Sequence, residues 1–109
     1  MNNAKEEAKI LKLTEKRKSD AIIKIMKKAD LEMTVCCLNA LAEINDEAAC
    51  NAIAHCMDSD ASAIRVAACK AALVVNTDYM KTRVRHTLVK ETDESVKAQI
   101  QEISNVSKR

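Results

Sequence analysis

Not one of the 109 residues is Gly or Pro, and that double absence constrains the fold more than any motif. Tight hairpins rely on residues at ease with positive φ and on Pro to preset the first turn position. A turn-rich β-sandwich or barrel is therefore excluded. Disorder is excluded too, because hydrophobic residues make up 48% of the chain, more than an unfolded segment carries. Tyr79 is the only aromatic residue, so the core must be built from Ala, Ile, Leu, Val, Met and Cys. These features predict a single all-α domain spanning residues 1–109 with short connections capped by Asp and Asn.

The chain falls on itself when shifted by 31 positions. LTEKRKSDAIIKIM begins at Leu13, INDEAACNAIAHCM at Ile44 and VNTDYMKTRVRHTL at Val75. Ile22, Ile53 and Val84 share a column, as do Met26, Met57 and Leu88; after one extra residue in the third copy, Met33, Ile64 and Val96 align. Thr14, Asn45 and Asn76 form a further column of residues suited to N-capping. Within each copy the first helix has a one-sided apolar pattern at i, i+3 and i+4, as in Ile22, Ile25, Met26 and Ala29. The second helix is expected to open at Asp30, at Ser59 or Asp60, and at Thr92 or Asp93. Second helices one and two are apolar around most of their circumference, as expected of an inner layer. The pattern predicts a helix over 3–13 as an N-terminal cap, then repeats over 14–44, 45–75 and 76–106. Polar residues Gln99, Gln101, Glu102, Ser104 and Asn105 in the last helix are suited to ending a stack. The expected fold is a right-handed α-solenoid of about seven antiparallel helices, a half repeat plus three.

The string DASAIRVAACKAAL, from Asp60 to Leu73, resembles the second-helix pattern of HEAT-like repeats, an acid followed by V/I-R-x-x-A-x-x-A-L. DLEMTVCCLNALAEI and ETDESVKAQIQEI are weaker copies, with Thr34 where the pattern has Arg. The short unit is similar to the variety found in phycobilin lyases. The resemblance implies a HEAT-like stack whose second helices line a concave face; it does not imply an activity.

Eighteen basic and sixteen acidic residues leave a net charge of +2, too little for a global pull toward nucleic acid or anionic membranes. The charges are segregated: residues 1–29 carry +5, residues 30–64 carry −7 without any Lys or Arg, and residues 65–90 carry +5. No apolar run approaches the roughly 18 residues of a membrane span. The opening MNNAKEEAKILK lacks the basic-then-apolar order of a signal peptide. Cys36, Cys37, Cys50, Cys56 and Cys69 are odd in number and form no CxxC pair. They read as reduced thiols of a cytoplasmic protein, acting as small buried hydrophobes.

No cofactor, metal or catalytic site is expected. His55 and His86 occupy one repeat column, but packed helices lie about 8–10 Å apart, so two lone imidazoles make a poor metal site. His55 is followed by Cys56 and His86 by Thr87, so the His-Glu pairs of the di-iron hydroxylases with HEAT-like folds are absent. A phosphate-cradling Gly loop cannot be built. The basic first helices (Lys16, Arg17, Lys18, Lys24, Lys27 and Lys28, then Lys81, Arg83, Arg85 and Lys90) offer an alternative as a nucleic-acid-binding module. A copy without Lys or Arg in its first helix separates them, and no aromatics interleave for base stacking, so nucleic acid is the disfavoured partner.

The sequence directs attention to an apolar stripe, Val35, Leu38 and Ala42, then Val66, Cys69 and Leu73, on one side of each second helix. Such a stripe would suit a partner's amphipathic helix or a second copy of the chain. The expected function is thus a non-catalytic protein–protein interaction module. Val35, Leu38, Val66 and Leu73 would supply affinity, and Arg65 and Lys70 would select an acidic partner. An accessory subunit of an enzyme is a further alternative, with homo-oligomerisation compatible with each.

Overall fold

A computed structural model describes residues 4–107, and these form seven α-helices and no strand: α1 (Ala4–Glu15), α2 (Ser19–Met26), α3 (Leu31–Ile44), α4 (Glu47–Cys56), α5 (Ser62–Val75), α6 (Asp78–Lys90) and α7 (Glu94–Ser107). The start of the expected 3–13 helix, Asn3, lies outside the described residues; α1 itself runs two residues past the expected end. The odd-numbered helices pack in order, α1 on α3, α3 on α5 and α5 on α7. Each even helix bridges the two odd helices that flank it in sequence. The seven helices share one hydrophobic core within extents of 36 × 29 × 23 Å.

The repeat columns fill that core. Ile22 and Ile53 are fully buried and Val84 nearly so, while one helix later Met33 and Val96 are buried and Ile64 of the same column is only half-buried. Burying each large aliphatic side chain stabilises the fold by about 1.5–3 kcal/mol. Ala68, Ala71 and Ala72 of α5 are also fully buried. Their small side chains let helices approach closely, which compensates for a core without aromatic bulk.

The helix ends correct one expected column. Thr14 lies within α1, where its hydroxyl donates to the Ile10 carbonyl at 2.7 Å. Asn45 and Asn76 are C-caps of α3 and α5, in the left-handed region at φ 55° and 61°. The N-caps come one residue later. Asp46 Oδ1 accepts from the Ala49 N–H at 2.9 Å, and Thr77 Oγ1 accepts from the Met80 N–H at 3.1 Å. Asn tolerates positive φ, so in a chain without Gly it takes the role of ending a helix.

The second helices begin in three ways. Asp30 caps α3 through the Met33 N–H, and Asp93 accepts from Ser95 and Val96 N–H groups at the start of α7. At α5 the expected Ser59 or Asp60 cap gives way to Ala61, which makes no side-chain cap bond. There the carbonyls of Ser59 and Asp60 both accept from Arg65 Nη1 instead.

Candidate functional site

On a helix turning 100° per residue, Val35, Leu38 and Ala42 share one side of α3, and Val66, Cys69 and Leu73 share the same side of α5. Leu38 and Cys69 have no exposed surface and Ala42 is 5% exposed. The expectation of a stripe open along its whole length is therefore corrected: Leu38, Ala42 and Cys69 are part of the hydrophobic core. Val35, Val66 and Leu73 are half-buried, while Leu38 has nothing to offer a partner.

Val66 and Leu73 open onto different hollows. Val66 borders a shallow groove of about 410 Å³ between α5 and α7, with Ala98, Gln99, Glu102 and Ile103 on its far wall. Leu73 faces a separate hollow lined by Val84 and Leu88 of α6 and by Gln101 and Ser104 of α7. Lys70 is exposed on α5, and Val74 and Val106, near the ends of α5 and α7, are 66% and 54% exposed. The free edge of these two helices therefore combines apolar and charged groups.

Arg65 is held chiefly within the fold. Its Nε and Nη2 donate to Glu91 Oε1 and Oε2, each at 3.0 Å, in a bidentate pair. Together with the two carbonyls of the α4–α5 connection, Glu91 engages four of the five guanidinium N–H groups. The bonds from Arg65, reinforced by the Asp93 N–H, hold the Glu91 carboxyl below the usual carboxylate range. The pair joins the start of α5 to the connection between α6 and α7.

Two further arginines join helices distant in the chain through main-chain carbonyls. Arg83 Nη2 donates to the Ala54 carbonyl at 2.9 Å and to Asp58 Oδ2 at 3.4 Å. Arg17 Nη2 donates to the Ile44 carbonyl at the end of α3. A carbonyl acceptor carries no side-chain identity, so these links have no sequence signal beyond the Arg itself.

His55 and His86 are both exposed on the even helices, and among the described residues no group of three or more His, Cys, Asp or Glu could hold a metal ion. All five cysteines are free. Burial pushes the thiols of Cys37 and Cys69 up to about 11, so both are neutral and poorly nucleophilic at neutral pH. Cys36, Cys50 and Cys56 are raised as well, chiefly by burial.

No helix among the described residues is long and apolar enough to cross a membrane. No protein-family model, curated protein or solved structure matches the chain.

Proposed function

We propose that this chain is a non-catalytic protein-interaction module, a right-handed HEAT-like α-solenoid that engages a partner along the outer edge of α5 and α7. The observation that carries this reading is the α5–α7 groove, where Val66 and Ile103 are partly exposed and Ala98 is open to solvent. Lys70 and Glu102 stand in matching repeat columns beside it and supply opposite charges for orienting a partner segment. The 31-residue period and the resemblance of residues 60–73 to HEAT-like second helices support the solenoid. Cytoplasmic residence fits five free thiols.

The test is retention of a specific protein from nuclease-treated lysate by the wild-type chain, compared with Val66→Asp and Ile103→Asp. The expected result is loss of that protein in both variants while the helical circular-dichroism signal persists. Retention unchanged in both variants would sink the groove. Disappearance of all bound material on nuclease treatment would favour the basic faces of α2 and α6 and a nucleic-acid partner.

A further inference from the structure

A second surface, made of different residues, has a charge balance the fold does not account for. A cleft of about 440 Å³ lies between the α4–α5 connection and the C-terminal half of α6. Arg65 and Glu91 form one wall and cancel each other through their two 3.0 Å bonds. On α6, Arg83, His86 and Lys90 recur at i, i+3 and i+7, and so face the cleft from one side of the helix. Against them stands a single remaining carboxylate, Asp58, at 3.4 Å from Arg83 and 3.9 Å from Lys90. Two cations share one acid, and that acid's side chain is 54% exposed.

The donors also outnumber the acceptors. Arg83 has one short bond, to the Ala54 carbonyl, and its Nε is buried without a hydrogen-bond partner. Lys90 is 64% exposed and has only the long contact to Asp58. Long, exposed ion pairs contribute little to stability, so Asp58 can turn aside at small cost. An anion bringing several acceptor oxygens would restore the balance that Asp58 supplies incompletely.

We propose that this cleft binds a small phosphate monoester, with Arg83 and Lys90 as the anchoring cations, His86 at the rim and Asp58 as an internal competitor for the same donors. A tetrahedral phosphate presents acceptors toward a guanidinium and an ammonium from different directions, which a planar carboxylate with two oxygens does less completely.

The experiment is a titration of the ¹⁵N-labelled chain with phenyl phosphate, and with benzoate as the planar anion, at constant ionic strength. Phenyl phosphate should give saturable amide shifts confined to residues 57–60 and 83–92. Asp58→Asn should tighten binding about threefold and Lys90→Gln should weaken it about threefold, the scale of one exposed charge pair. Lys90 makes no short bond, so its variant keeps the fold where Arg83→Gln could lose it. Equal shifts around Lys24, Lys27 and Lys28 on α2 would show diffuse screening and overturn the site. So would binding unchanged in both variants, non-saturating shifts, or benzoate binding as tightly as phenyl phosphate.

Discussion

The corner between α1 and α2 and the corners that open the next two repeats solve the same problem with different residues. At the later corners an Asn in the left-handed region closes the preceding helix, and Asp46 or Thr77 caps the next. At the first corner the left-handed residue is Arg17, at φ 57°, and α2 starts at Ser19 without a side-chain cap. A non-Gly left-handed residue costs about 1–2 kcal/mol, and Arg lacks the short polar side chain that eases Asn into that region. Two long-range bonds compensate: Arg17 to the Ile44 carbonyl at the end of its own repeat, and the Ser19 hydroxyl to Asp46 Oδ2 of the next at 2.8 Å. The comparison teaches that a repeat can keep its core register, as Ile22 and Ile53 do, while its corner is stabilised by bonds to the following corner, at Ile44 and Asp46, rather than by a cap of its own.

The largest test of that view is in the core. Ile22→Ala and Ile53→Ala should each cost about 2–5 kcal/mol in urea denaturation, since both side chains are fully buried. If Ile22→Ala costs much less than Ile53→Ala, the first repeat yields around the cavity and its corner is the looser one.

Next in size is Arg17→Ala, which retains the strained backbone and removes a charged donor from the Ile44 carbonyl; a loss of about 1.5–3 kcal/mol is expected. Arg17→Gly should cost about 1 kcal/mol less, because Gly enters the left-handed region freely. Equal thermal midpoints for the two variants would show that backbone strain plays no part at this corner.

Asp46 belongs to both corners, capping α4 and accepting from Ser19. Asp46→Ala should lose about 1–2 kcal/mol. The Ala49 N–H first, and then the Ser19 hydroxyl, hold its carboxyl below the ordinary carboxylate range. A depressed folded-state value means that this contribution is complete above the unfolded value, near 4, and is lost as the pH falls through the lower folded one. Wild type and Asp46→Asn should therefore converge in stability on acidification; a constant gap between them would contradict the assignment.

The smallest effect is expected at the regular corners. Asn45→Gly and Asn76→Gly should each change stability by less than about 0.5 kcal/mol, since both residue types suit a left-handed C-cap. A clear loss in either would mean that the Asn side chain contributes more than its tolerance of positive φ.

Much of this architecture was legible in the chain. The 31-residue offset aligned the buried columns, and Asp30 and Asp93 marked helix starts. Reading Asn45 and Asn76 as N-caps missed by one residue, because Asn suits either end of a helix and the chain has no Gly to mark the C-terminus. The Val35–Leu38 and Val66–Leu73 stripe was visible as apolar spacing. Periodicity reports that a side is apolar, though, and says nothing of whether a helix or solvent covers it. Val35 and Val66 share one repeat column and are both half-buried, whereas Leu38 and Cys69 share the next and are both fully buried, so one stripe holds covered and partly open positions.

By itself the sequence determined the all-helical class, the repeat period and the aliphatic core, because these follow from local propensity and from spacing along one chain. Tertiary structure alone decided the links between distant helices. Arg65 to Glu91, Arg83 to the Ala54 carbonyl and Arg17 to the Ile44 carbonyl join groups 26 to 29 residues apart. A guanidinium can reach any acceptor within its length, and which acceptor arrives there is fixed only when the helices pack.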